Sequence, residues 1–253
     1  MRIVNRLFYV LLLAFLSSCS STFLISDIDT DENISIDSKI ASDPLYDQVI
    51  APYKEELNSQ MNEVIGFASQ ELTKKGDDSS LGLVFADYTL DAAKEWAKEH
   101  NLPIHASVIN IGGLRTTIGQ GEVKLMHLYE VMPFENELVI VQLTGVQLQS
   151  LFDYYRNNLK NNPVSGLFIE TDGNRLIHGL INGEKPVEQA IYNIATSDYL
   201  ALGGDQMNFF TQGKLIPTGV KLRDAYIEQV KKSPTITVPQ DKRLQFHNKP
   251  DND

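Results

Sequence analysis

A second cysteine is missing from this chain of 253 residues, so its one thiol, Cys19, has no partner for an internal disulfide. Basic residues are also short: 22 Lys and Arg stand against 33 Asp and Glu, a net charge of −11. An acidic exterior excludes nucleic acid as a partner, because binding a duplex backbone needs a cationic surface. It leaves room for one small anionic ligand in a local basic pocket. Past Leu16 there is no long apolar run, so no later transmembrane helix is expected. The histidines, His100, His105, His127, His178 and His247, fall in no Asp-x-His or Gly-Asn-His-Asp/Glu spacing. No serine is nested between glycines as a nucleophile, and no Cys–His pair is present. Neither a metal-ligand set nor a catalytic residue is therefore expected in this chain. Internal repeats and low-complexity tracts are absent too.

The apolar run that does exist is at the start. Arg2 and Arg6 precede a continuous apolar stretch over residues 7–16, too short to span a bilayer as a stable helix. Leu16-Ser17-Ser18-Cys19 follows, and the pattern resembles a bacterial lipoprotein signal, in which the cysteine is lipidated and becomes the first mature residue. An ordinary secretory signal or a signal anchor shares the charge and the apolar run, but neither needs a lone cysteine at that place. The organisation expected is a signal peptide over 1–18, a tether over 19–43, one domain over 44–244 and a flexible polar tail over 245–253. Loss of residues 1–18 removes two arginines and no acid, which makes the mature chain more negative than −11. Lipid on Cys19 would hold a globular domain to a membrane of the cell envelope, with the outer membrane or a periplasmic face expected.

Within the domain, apolar residues at Val49, Ile50, Tyr53, Leu57 and Met61 share one helical face over 46–63. Residues 64–72 read as a strand or as a continuation. A polar turn at 74–78 leads to Ser79 or Ser80 as N-cap of a helix carrying Leu81, Val84, Phe85, Tyr88, Ala92 and Trp96. A strand ending at Ile109, a turn at 119–121, a short helix over 124–131 stopped by Pro133, and a strand over 137–143 come next. Gly145 opens a helix with Leu148, Leu151, Phe152 and Tyr155. Strands are expected over 166–170, 175–181 and 190–197, and a late helix over 222–230. Interleaved helices and strands place the fold in the α/β (α+β) class, with a mixed sheet.

One stretch stands out for chemistry. After the apolar run Ala106 to Ile109 comes Asn110-Ile111-Gly112-Gly113-Leu114-Arg115. Paired glycines permit positive φ and close approach of a ligand. Asn110 brings an amide that donates and accepts, and Arg115 a fork of donors for an anionic oxygen. A hairpin or strand-to-helix turn with a surface arginine would give the same letters.

Three further segments join it: Met132-Pro133-Phe134-Glu135-Asn136 just before a strand, Val164-Ser165-Gly166, and Asp198-Tyr199 followed by Gly203-Gly204-Asp205. In this order, with Thr144-Gly145 after the strand, they resemble the C-terminal domain of 5′-nucleotidases, the family of periplasmic UDP-sugar hydrolases and ecto-5′-nucleotidases. The resemblance implies a base held between Phe134 and Tyr199, Asn110 at the base edge, Arg115 at ribose or phosphate, and Asp205 on the ribose hydroxyls. It also implies that Gly112, Gly113, Asn136, Gly203, Gly204 and Lys75 belong to the substrate-binding set. Lys75 falls where the family carries a further arginine, which keeps the charge but loses the fork. The ligand implied is a nucleotide or nucleoside, a purine above all. In full-length members a separate metallophosphatase domain binds two metals that activate water. This chain is accordingly expected to hold no cofactor, to be inactive alone, and to act as the recognition half of a split 5′-nucleotidase whose partner polypeptide carries the divalent metals. A lipid-anchored nucleoside-binding or scaffold protein with no hydrolytic role is the alternative.

Overall fold

The computed structural model describes residues 40–249, together with Ile25, Asn33, Ser35 and Asp37. The signal peptide expected over 1–18, Cys19, most of the expected tether and the residues after 249 lie outside the described residues. Contacts divide the chain into Met1–Val49 and Ile50–Asp253. In the first unit, Asp43 accepts the Leu45 amide at 2.8 Å and Ser42 donates to Asp47 at 2.7 Å, which fixes the entry to a helix. The rest of the description concerns the second unit.

In chain order, the elements are α1 (Pro44–Met61), β1 (Val64–Ala68), α2 (Ser80–Lys98), β2 (Ala106–Val108), β3 (Gly121–Lys124), α3 (Leu125–Val131), β4 (Glu137–Thr144) and α4 (Gly145–Asn158). They continue with β5 (Val164–Ser165), β6 (Leu167–Asp172), β7 (Arg175–Ile181), β8 (Ile191–Ser197), α5 (Asp198–Ala201), β9 (Lys214–Lys221), α6 (Leu222–Lys232), β10 (Thr235–Ile236) and β11 (Leu244–His247). The class is mixed α/β. A central sheet has the order β5-β2-β8-β4-β9, flanked by two three-stranded sheets, β10-β1-β3 and β11-β6-β7.

The central sheet separates two apolar cores. Along β4, Leu138 faces one core while Val139, Val141 and Leu143 face the other; on β8, Ala195 and Ile194 divide in the same way. That is the two-residue alternation of a strand buried on both faces. The first core gathers Leu81 and Phe85 of α2 with Tyr226 and Val230 of α6. The second gathers Phe152 and Tyr155 of α4 with Ile169 and Phe210.

Helix starts follow local chemistry. Ser79 caps α2, its hydroxyl accepting the Gly82 amide at 3.2 Å. Thr144 and Gln147 form a reciprocal capping box at the start of α4. α1 forms on the expected spacing yet buries none of its residues.

The end of the chain departs from expectation. Residues 245–247, assigned to a flexible tail, belong to β11, which pairs in parallel with β6. Their order comes from the turn at 76–78. Asp78 accepts the amides of Arg243 and Leu244, both at 2.9 Å, and Asp77 accepts that of Phe246 at 3.3 Å. Burial pushes the Asp78 pKa up, partly offset by those amides. Beside them lies buried Arg243. Its guanidinium grips Asp87 with two bonds of 2.7 and 3.0 Å, Asp241 at 2.7 Å, and the Val164 carbonyl at 3.1 Å. Burial alone would lower its pKa; the bonds to Asp241 and Asp87 outweigh that and raise it.

Candidate functional site

β2 and β8 run parallel and β4 runs antiparallel to β8. The carboxyl ends of β2 and β8 and the amino end of β4 therefore meet at one edge of the central sheet. The three loops leaving that edge surround a cleft of about 560 Å³, within the range of small-molecule sites. Asn110, Gly112, Gly113, Arg115, Phe134, Glu135, Asn136, Tyr199 and Asp205 line it.

In the first loop the chain makes a single 3-10 turn at Ile111–Gly113. Neither glycine takes positive φ, so conformational freedom is not their use. Close approach is: a Cβ on Gly113 would lie 2.8 Å from the Asn110 side-chain oxygen, which folds back over the turn. The Arg115 amide bonds the Val131 carbonyl at the end of α3 at 2.8 Å. Its guanidinium donates to the Gly112 carbonyl at 3.2 Å and lies 5.8 Å over the Phe134 ring.

Phe134 is 44 % exposed at the tip of the second loop, and Tyr199 is 45 % exposed in the third. Water contact at that level is unfavourable for a large ring unless a ligand covers it. The two loops are joined beneath the rings: the Asp198 Oδ1 accepts both the Asn136 side-chain amide and the Tyr199 backbone amide, each at 2.8 Å. In the third loop, Gly203 has φ +92°, and Asp205 and Gln206 follow at +52° and +66°. The left-handed region is costly for residues with a side chain, and the Asp205 conformation is held by three hydrogen bonds. The Tyr199 hydroxyl donates to Asp205 Oδ1 at 2.9 Å and accepts the Asp205 amide at 3.1 Å. The Tyr154 hydroxyl donates to the Asp205 carbonyl at 3.1 Å and accepts from the Asn162 amide at 3.1 Å. Burial first, then the charge of Asp205, pushes the Tyr154 hydroxyl up to about 12, so it stays a neutral donor. The Asn162 oxygen also takes the Ile111 amide at 3.1 Å, tying the first loop to the third.

Neither Gly203 nor Gly204 lines the cleft, but Gly204 sets Tyr199. A Cβ on Gly204 would come 2.5 Å from Tyr199 Cζ and 2.6 Å from its carbonyl. Gly204→Ala is expected to cost about 1–3 kcal/mol by overpacking and to displace the ring. Urea unfolding reads the first effect and tyrosine-ring NMR shifts the second; an unaltered ring signal would refute this account of the glycine.

Two motif positions lie elsewhere. Lys75 is exposed and outside the cleft lining, in a turn whose flanking carbonyls, Lys74 and Gly76, accept from Asn161 at 3.3 and 2.8 Å. Ser165 is buried and donates to Asp87 at 2.5 Å, so the Ser165-Gly166 motif serves the Arg243 cluster. Asp198 and Glu135 fall within the motif segments with no role assigned from sequence, and Asn162 and Tyr154 lie in no motif. Arg115 is the only cation lining the cleft among the described residues, against Glu135 and Asp205. No group of three or more His, Cys, Asp and Glu able to hold a metal ion occurs among the described residues. The two metals of the full-length family thus find no fitting ligand set there.

Residues 61–212 match the family described as "5′-nucleotidase, C-terminal domain". The chain is 27 % identical over 209 residues to the trifunctional nucleotide phosphoesterase protein YfkN of Bacillus subtilis, covering 73 % of this chain and 14 % of that protein. It is 24 % identical over 180 residues to protein UshA of Yersinia enterocolitica, covering 70 % and 32 %. Among solved structures, the 5′-nucleotidase precursor of Thermus thermophilus shares the fold with a TM-score of 0.67 at 22 % identity, over 81 % of this chain and 44 % of that one. The chain spans less than half the length of these relatives. The matched segment is more than half of the chain and contains every residue that lines the cleft, and the chain belongs to the 5′-nucleotidase C-terminal domain family.

Proposed function

We propose that this domain is the nucleotide-recognition half of a split 5′-nucleotidase, lipid-anchored through Cys19 in a bacterial cell envelope. The reading is carried by one observation: two half-exposed rings, one guanidinium and one carboxylate, distant in sequence, line a single cleft. A purine stacks between Phe134 and Tyr199, which suits any base because each has a π face. Asn110 presents its amide to the base edge, and Asn136, bonded to Asp198, holds the two ring-bearing loops together. Asp205, an acceptor-only group already oriented by the Tyr199 hydroxyl, takes ribose hydroxyls. Arg115 directs the phosphate end. The domain's share of catalysis is then positioning, which holds the scissile ester for a partner. A separate metallophosphatase polypeptide supplies divalent metals, which activate water and polarise the phosphate.

A second reading, a nucleoside-binding protein without hydrolytic role, draws on the charge of the cleft. With Lys75 outside it, one arginine faces two carboxylates, and that balance suits a neutral nucleoside better than a phosphate.

Calorimetric titration with AMP and with adenosine tests the site. Saturable binding of either is expected, and absence of heat with both at millimolar concentration would remove the reading. Retention of a metal-dependent nucleotidase on the native protein separates the two versions: a retained hydrolase supports the split enzyme, and none supports the binding protein. Replacing Cys19 with serine is expected to move the protein from the membrane to the soluble fraction; unchanged fractionation would exclude the anchor.

A further inference from the structure

We propose that Arg223, in the first turn of α6, is a positioning residue that holds the Phe134 loop in its binding shape; the binding consequence rests on the function proposed above. Arg223 lies outside the cleft lining and beyond the 61–212 segment matched to the family.

The loop over 132–136 has no ladder partner until Glu137 enters β4. Its shape comes instead from the junction of β9 and α6. The Lys221 ammonium donates to the Glu135 carbonyl at 2.9 Å, and the Leu222 amide donates to the Asn136 carbonyl at 2.9 Å. Arg223 spans the loop. One guanidinium nitrogen donates to the Met132 carbonyl at 3.3 Å, on the near side of Phe134, and another pairs with the Glu135 carboxylate on the far side. The guanidinium rests over the Tyr129 ring at 4.3 Å, and the residue is only 8 % exposed. Two acceptors on opposite sides of one loop residue need a rigid fork, which lysine lacks. The Arg115 amide bonds Val131, the residue before Met132. The same brace therefore fixes Phe134 relative to Arg115, the two groups that must face one ligand together. A half-exposed ring held before the ligand arrives loses less freedom on binding.

Hydrogen exchange followed by mass spectrometry tests the brace without ligand. In Arg223→Ala, the amides of Met132 and Leu222, bonded to the Leu128 and Asn136 carbonyls at the two ends of the loop, are expected to exchange about tenfold faster while the β4–β8 ladder is unchanged, with Arg223→Lys between the two. Unaltered exchange at both amides would overturn the proposal whether or not nucleotide binds. Calorimetry with AMP is expected to show about three- to tenfold weaker affinity in Arg223→Ala, partly recovered in Arg223→Lys. Faster exchange with wild-type affinity would also overturn the positioning role. Failure of the wild type to bind AMP would remove the proposed function and leave the exchange arm to decide on Arg223. Where Arg223→Ala does not fold, Tyr129→Leu, which removes only the ring beneath the guanidinium, is expected to accelerate exchange at the same amides.

Discussion

Phe134→Ala and Tyr199→Ala are each expected to weaken AMP binding by about 1–3 kcal/mol, and the pair together to remove detectable heat at millimolar ligand. Both rings are roughly half exposed and line the same cleft. Neither truncation opens a cavity in a core, so the thermal midpoint should move little in Phe134→Ala, and somewhat more in Tyr199→Ala, which also strips two hydrogen bonds from Asp205. Tyr199→Phe separates two roles. It keeps the stacking face and loses the hydroxyl that orients Asp205. Its expected signature is a smaller loss that is greater for adenosine than for free adenine, because only the former offers ribose hydroxyls. Equal affinity in the wild type and all three variants would dispose of the base clamp.

Arg243→Ala is expected to destabilise the domain by about 3 kcal/mol, at the lower end for a broken buried ion pair because the Asp87 side chain keeps 32 % of its exposure. The substitution strands the part-buried Asp87 carboxylate and the buried Val164 carbonyl, while the Asp241 carboxylate, its side chain 60 % exposed, turns to water. Removing one partner while the others stay buried costs more than the net worth of any single bond. Arg243→Lys restores the charge and only one of the contacts, so it should recover part of the loss. Urea unfolding with an unchanged slope measures both, and a shift below about 1 kcal/mol for Arg243→Ala would show that water replaces the guanidinium there.

Much of the architecture is legible in the residues because local and global signals agree. Ser79 before the apolar repeat of α2 and the Thr144/Gln147 box before α4 announce helices that form where expected. β9 gives no such signal. Pro217 and Gly219 interrupt it, and it survives because it is an edge strand, where a missing amide donor is tolerated. β11 reads as polar tail because its order is imposed by Asp77 and Asp78, far away in sequence. Of the residues the motifs single out, Gly203, Gly204 and Lys75 do not line the cleft, and Glu135 lines it without having been singled out. Spacing along the chain says nothing about which of two nearby turns reaches the cleft. The supports were hidden for the same reason: Asp198, Asn162, Tyr154 and Arg223 act through partners 51 to 91 positions distant.

The pairing of β1 with β10 and of β6 with β11 has a consequence for biosynthesis. Both early strands wait for segments synthesised after residue 234. A chain delivered only in part to the compartment where it folds can build α2 and α4 from nearby residues, but β6 lacks its parallel neighbour, and Asp87 its guanidinium, until Arg243 and β11 arrive. Long-range pairing of this kind slows folding and leaves apolar surface open to aggregation. Holdase chaperones thus have their window before Arg243 arrives, and a premature stop a few codons before Arg243 should yield a degradation substrate in place of a slightly weakened domain.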